Sequence, residues 1–395
     1  MNPSLIALSR MGYSESLVGV SERVDVQAII EENARILREN RTRSRRFPHI
    51  YKLYDNAELI STFSHLTPNL PFDEVFGNFL LPKIADAAGI PRDRVINCAY
   101  DNYIPRTDTP KAYTVQFGIV NPKVLHPEII PSLQEGFFYD PKELIKDGQN
   151  RIKSAPEENV EVFRARFDQI EAILEKYSGP GDTREKLLKI RQEFLALVGI
   201  DCIPEVAYSR ALQPKTADIL ESLYKEGFPF WEMPVPEEKY LKDTFLIEGI
   251  DAQKKRRHVR FEDGQFVFEY APQREKRIPA EKIFDALRNF EVIPTMPLVI
   301  LTTTTAPQIP HLGGGVWKNY APKHVDAQAE WLGIPERSDT LILSTGGHVL
   351  LKTFRRNEEF IGFPTIYLTY GPGRIREALE NGYFRRVEFK RRVLL

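Results

Sequence analysis

Between positions 25 and 40 the apolar residues Ile29, Ile30, Ala34 and Leu37 return every three or four places, the spacing that lines one face of an α-helix. The same period predicts a helix over 72–88, through Val75, Phe76, Phe79, Leu80 and Ile84. Short apolar runs predict strands over 94–98 and 112–120, with a polar and aromatic loop between them. From 157 to 198 two helical stripes follow one another: Val160, Phe163, Phe167, Ile170 and Leu174, then Leu187, Leu188, Arg191, Leu195 and Val198. Ser178-Gly-Pro-Gly-Asp182 separates them, and Asp182 with Glu185 has the spacing of a capping box. These two segments predict an antiparallel helical hairpin.

Beyond 200 the pattern alternates. Residues 257–271 place alternating apolar positions on either side of Asp263-Gly264, a type I′ turn pair, and so predict a β-hairpin. A helix over 280–289, a strand over 297–302 and a helix over 322–332 with Pro322 in its first turn come next. Strands over 340–344, 349–354 and 365–370 follow, then a helix opening at Arg374. The reading is an α/β fold of two mixed α/β units, 1–150 and 201–395, with the hairpin at 151–200 between them. The C-terminal unit is expected to hold a partly parallel sheet, because strands alternate with helices there.

Composition narrows the function classes. The net charge is −1, which supplies no general attraction to nucleic acid or to an anionic membrane. Two cysteines, Cys98 and Cys202, are too few for a disulfide framework or a four-thiolate zinc site. Both are expected as free thiols. The first apolar stretch, Leu5–Leu8, is shorter than a secretory core, and no run approaches a membrane span. A cytoplasmic location is the resulting expectation.

Candidate chemistry gathers at the ends of the C-terminal strands. After Thr302–Thr305 comes a loop with His311, Gly313, Gly314, Gly315, Lys318 and Tyr320, and His324 lies in the next helix. Ser344-Thr-Gly346-Gly347-His348 and Tyr370-Gly-Pro-Gly373-Arg374 are two further Gly-rich segments. Ligands of open α/β sheets bind outside the carboxyl ends of strands, where glycines let backbone amides approach an anion. The spacing matches neither a Walker loop nor GxGxxG, and the chain has no Gly-x-Ser-x-Gly elbow for a serine hydrolase. In this reading the glycine amides, with Tyr320, bind an anionic or nucleotide-type substrate, Lys318 and Arg374 neutralise its charge, and His311 or His348 moves a proton. The spacing names no cofactor and no metal set. Pro310-His-Leu-Gly-Gly-Gly315 and Tyr370-Gly-Pro-Gly373 resemble Gly-rich segments of the cysteine-adding enzymes of bacillithiol synthesis, over about a tenth of the chain. That resemblance implies a ligase or a transferase.

Three other features have rival readings. Asn97-Cys98 at a strand end is a candidate nucleophile with His49 or His65, or else a buried thiol. Asp101 and Arg106 are candidate polar contacts. Basic runs at Arg35–Arg46, Lys254–Arg257 and Arg385–Arg392 are either solvated faces or phosphate-binding surface. The first run, with the helical hairpin, would serve a nucleic-acid or protein-binding module, the alternative to the enzyme.

Overall fold

The computed structural model describes residues 24–66, 70, 72–101, 142–153, 157–179, 181–236, 246–250, 256–268, 276–314, 317–345, 348–351, 363–382 and 384–387. In chain order these give α1 (Val26–Arg41), β1 (Leu59–His65), α2 (Phe72–Ala88), β2 (Val95–Tyr100), α3 (Val160–Lys176), α4 (Thr183–Leu197), β3 (Glu205–Ala207) and α5 (Gln213–Lys225). There follow β4 (Ile247–Ile250), β5 (Arg256–Glu262), β6 (Gln265–Phe268), β7 (Lys276–Pro279), β8 (Val292–Pro294) and α6 (Met296–Ile300). Then come β9 (His311–Gly313), α7 (Trp317–Leu332), β10 (Ile342–Ser344), β11 (His348–Leu351), α8 (Phe363–Asn381) and β12 (Phe384–Val387).

The fold is mixed α/β. Its centre is a five-stranded, all-parallel sheet of order β10-β9-β1-β2-β3. Strands from both units of the sequence reading share this sheet. A second sheet, antiparallel, has order β7-β6-β5-β4-β8, and β11 pairs antiparallel with β12.

Alternation along β1 and β2 sorts the two faces of the parallel sheet, as the pleat requires. Leu59, Val95 and Ala99 belong to one core with residues of α1, α2, α3, α4 and α8. Ile60, Cys98 and Tyr100 belong to the other, with α5, α6 and the antiparallel sheet.

Several local readings hold for identifiable reasons. Helix α1 starts where Asp25 caps the Ala28 amide at 2.9 Å. Asp263 and Gly264 both take positive φ, as a type I′ turn requires. Helices α3 and α4 are separate, with Asp182 as N-cap of α4. Lys176 bonds Glu193, and Gln169 and Ile173 share a shallow cleft with Glu193, Ala196 and Leu197. Partners therefore run in opposite directions along the two helices, so the pair is antiparallel, with the first half of α4 extending past the end of α3. Cys98 and Cys202 are free thiols, Cys98 fully buried.

Two predicted strands are helices instead. The 297–302 run lies in α6, which continues into a π-helical turn at Leu301–Thr305. Every residue from 297 to 305 is buried, so no polar face marks a helical period. Its hydroxyls bond back inside the helix, Thr302 Oγ1 to the Leu298 carbonyl at 2.8 Å and Thr303 Oγ1 to that of Val299 at 2.6 Å.

The 365–370 run lies in α8, whose buried positions 363, 366, 367, 375, 378 and 379 follow the helical period under a β-branched and aromatic composition. The Gly371-Pro-Gly373 segment is a kink in that helix, with Gly371 at φ 70°. Pro372 has no amide to give the Leu368 carbonyl. Arg166 of α3 supplies the missing bond at 2.6 Å, and a side chain at 371 would collide with its guanidinium. Helix α7 begins at Trp317, five residues before the predicted start, so Pro322 is inside it. The expected 112–120 strand lies outside the described residues.

One ionic cluster ties the helical pair to the sheet. Arg191 of α4 is fully buried, 2.9 Å from Glu74 of α2 and 2.6 Å from Glu205 of β3. Asn78 bonds Glu205 and accepts from Asn97, which also donates to the Ile203 carbonyl. Replacing Arg191 with Ala leaves two buried carboxylates without their counter-charge. Urea unfolding should show a loss of about 3–5 kcal/mol. The loss should shrink as pH falls and the carboxylates protonate; an unchanged midpoint would contradict this role.

Candidate functional site

In a strand order of β10-β9-β1-β2-β3 the chain first builds outward from β1 to β3, then returns to lay β9 and β10 on the other side. The connections after β1 and after β9 leave in opposite directions, the topological switch point at which ligands of open α/β sheets bind, at the carboxyl ends of the strands. Gly313 ends β9, and α7 opens four residues later with a turn bond from the Trp317 amide to the Gly314 carbonyl at 2.9 Å. The amino end of α7 therefore lies at this edge, with first-turn amides that have no intrahelical partner. Ser344 ends β10 at the same edge, and Asn33 of α1 pairs with both its backbone groups, at 3.1 and 3.0 Å.

The polar core beside these strand ends centres on His311. Its Nε2 lies 2.5 Å from Thr62 Oγ1 on β1, and its Nδ1 lies 2.7 Å from Thr304 Oγ1 in the π-turn. A neutral ring donates one of these bonds and accepts the other. Tyr100 at the end of β2 has its hydroxyl beside Thr62. The Trp317 ring lies 4.3 Å from that of His311 and makes an edge contact with Tyr320. Burial alone pushes the His311 pKa down to about 3. His311 is therefore a neutral tie between β9, β1 and the π-turn, with both nitrogens occupied. That corrects its expected role as a proton carrier.

Gly313 also has a different task from the one expected. A Cβ there would stand 2.0 Å from Trp317 Cγ, so the glycine makes room for the indole. Gly314 is half-buried and holds the turn into α7. Gly315, Gly346 and Gly347, and the side chains of Lys318 and His348, lie outside the described residues. The backbone of Lys318 is in the first turn of α7, and that of His348 opens β11 three residues beyond Thr345. Gly373 and Arg374 are exposed on α8 and belong to no strand end, which corrects the expectation of a third strand-end loop.

The remaining candidates are engaged by the fold. Cys98 is buried, and burial pushes its thiol well above its usual pKa, which fits a core thiol. Asp101 is buried; it accepts from the Ser209 amide at 2.8 Å and from the Ser209 hydroxyl, with Arg184 4.0 Å away. Burial raises its pKa against these hydrogen bonds. Arg106 lies outside the described residues. Of the first basic run, Arg35 pairs with Glu32 and Glu39, and Arg38 bonds the Ala87 carbonyl. Arg41 pairs with Glu58, and Arg45 reaches the Gln308 carbonyl. Arg35 thus pairs within α1, Arg38 ties α1 to α2, and Arg41 ties it to the residue that precedes β1. Among the described residues, no group of three His, Cys, Asp or Glu side chains gathers as a metal site, and no helix is long and apolar enough to cross a membrane. The π-turn, Thr62 and the strand at His311–Gly313 were missed by sequence reasoning. Four consecutive threonines after an apolar run were the available signal.

Two outcomes follow from this geometry. Folded His311 resists the proton that an unfolded histidine takes up below about pH 6.5. Its contribution to stability is complete above that pH and falls by about 1.4 kcal/mol per unit below it, toward pH 3. Stability measured between pH 6 and 4 should therefore slope less steeply, by about one proton, in His311→Gln than in the parent chain; parallel slopes would rule the assignment out. Gly313→Ala should cost about 1–3 kcal/mol and shift the emission of a chain whose single tryptophan is Trp317. Unaltered emission would mean that the indole does not rest on the glycine. No protein-family model matches this chain, and no curated protein matches it.

Proposed function

We propose that the chain is an enzyme of small-molecule metabolism, a transferase or ligase, that binds an anionic or nucleotide-type substrate over the carboxyl ends of β1, β9 and β10. The observation that carries this reading is the reversal of strand order between β1 and β9, with the amino end of α7 at the same edge. Helix amino ends favour negative charge through free amides and the helix dipole.

In this reading the amides of Gly314, Gly315, Gly346 and Gly347 cradle the anion, Lys318 neutralises it, and Tyr320 lines its approach. His348, at the end of the loop after β10, is the proton carrier in place of His311. Gly313 shapes the site through Trp317, and Gly373 and Arg374 fall outside it. The resemblance of segment 310–315 to the cysteine-adding enzymes favours ligase or transferase chemistry over hydrolysis.

Calorimetric titration with ATP, ADP and inorganic pyrophosphate tests the proposal. At least one should bind, and Lys318→Ala should weaken it by about 1–3 kcal/mol, the value of a charge-assisted hydrogen bond. Absence of binding by all three, or binding indifferent to Lys318, would refute it.

A further inference from the structure

Among the described residues four large apolar side chains are exposed, and two of them, Tyr224 at 40% and Phe261 at 38%, touch the same indole. The half-buried Trp231 ring lies 5.4 Å from that of Tyr224 and 5.1 Å from that of Phe261. Tyr224 is in the last turn of α5, Trp231 in the short turn Phe230–Glu232, and Phe261 near the end of β5. Buried rings back this row: Phe230 and Phe266 stand edge-on to the indole, and Phe284 lies against Tyr224. Neither the Trp231 indole N–H nor the Tyr224 hydroxyl has a hydrogen-bond partner among the described residues. The cations Lys225, Arg288 and Arg260 are each paired with a carboxylate. Three exposed acids have no such partner among the described residues. Glu232 follows Trp231, and Asp263 is in the turn just after Phe261. Glu281 is held beside that turn by the bond from the Ala280 amide to the Gly264 carbonyl at 3.1 Å. Against them stands Lys282, so the residual charge around the row is negative.

We infer that the row of Tyr224, Trp231 and Phe261 is a docking surface for an extended, proline-rich segment of a partner protein that carries lysine or arginine. Aromatic-lined surfaces receive such segments because the proline-rich chain is already extended and loses little entropy on binding. The two available donors select the same conformation. A helix has spent its interior carbonyls on its own amides, whereas a polyproline II chain has no internal hydrogen bonds and offers its carbonyls to an indole N–H and a phenol O–H. One turn of that chain, at about 3.1 Å per residue, is long enough to pass over rings 5.4 and 5.1 Å apart in succession. The unpaired carboxylates of Glu232, Asp263 and Glu281 favour a cationic partner, whose charge also rests well on an aromatic face. Nucleic-acid bases stack on such rings too, but their phosphates would meet these carboxylates. The surface is built on α5 and the antiparallel sheet, so it is independent of the proposed substrate site at the ends of β1, β9 and β10.

The test is nuclear magnetic resonance on the full chain, reading the indole N–H signal of Trp231. That signal is assigned through Trp231→Phe and, independently, by elimination through Trp317→Phe and Trp331→Phe. The probes are a short peptide of alternating proline and arginine, its proline–glutamate and glycine–arginine counterparts, and oligothymidylate. The proline–arginine peptide should shift the Trp231 signal and leave that of the buried Trp317 in place. Each of the other two peptides should bind at least about fivefold more weakly. Tyr224→Phe removes only a hydroxyl from an exposed side chain and should weaken the proline–arginine peptide about fivefold, the value of one hydrogen bond. Glu232→Gln should weaken it about twofold and flatten its salt dependence. A Trp231 signal indifferent to the proline–arginine peptide would overturn the inference. Equal binding of the glycine–arginine peptide, or tighter binding of oligothymidylate, would do the same. A Trp231 signal that moves when the chain alone is concentrated would give the surface to a second copy and also overturn it. Failure of ATP, ADP and pyrophosphate to bind would remove the substrate site and leave this surface standing.

Discussion

The guanidinium of Arg191 holds the far side of the sheet in place. Strand β3 is three residues long and lies at an edge, so its ladder with β2 contributes few bonds. Glu205 begins that strand, and its carboxylate is fixed by Arg191 and Asn78. The same guanidinium reaches Glu74, so α2, α4 and β3 meet at one buried charge. Desolvating three ionic groups is costly, and such a cluster is stable only when each lone pair and proton has a partner. What the cluster secures is register: a one-residue slip of β3 would turn Glu205 to the opposite face. Ser209, two residues beyond β3, meets Asp101 at the end of β2 only because that register holds.

The opposite face of the sheet is organised by neutral polar groups. The wide π-turn at Leu301–Thr305 presents Thr304 to His311, while Thr62 holds the ring from the neighbouring strand. π-turns are rare and recur at functional sites. Here the turn follows the fully buried α6 and precedes β9, so it sets where β9 enters the sheet and where α7 begins. The tie at His311 and the space left by Gly313 fix Trp317, and Trp317 fixes the first turn of α7.

Much of the architecture was legible in the order of residues. Helix α1 announced itself through Asp25 and a clean apolar stripe, and the β5–β6 turn through Asp263-Gly264. Helix α6 did not, because a segment buried on every side has no polar face to mark its period. Helix α8 was masked by Thr, Ile and Tyr residues that favour strands, which packing against α3 overrides. The start of α7 was hidden by the lack of a Ser, Thr, Asp or Asn cap before Trp317. At the candidate site, the predicted strand ending at Ser344 is present as β10, but His311–Gly313, read from the sequence as loop, is strand β9. The role of His311 was misjudged, since nothing local distinguishes a histidine tied between two threonines from one facing solvent. Which threonine it meets depends on Thr62, about 250 residues away.

The bend in α8 has a kinetic consequence. The Leu368 carbonyl that Pro372 leaves open is closed by Arg166, across about 200 residues of intervening chain. Helix 363–381 cannot complete its own hydrogen bonding, so its final shape is reached only with α3 docked against it. Parallel strands joined over comparable separations impose the same delay, since loop-closure entropy precedes the reward of contact. During synthesis the amino-terminal strands must wait, unpaired along one side of β1, for β9 and β10 to emerge. Their exposed edge is a target for chance pairing with other chains throughout that interval.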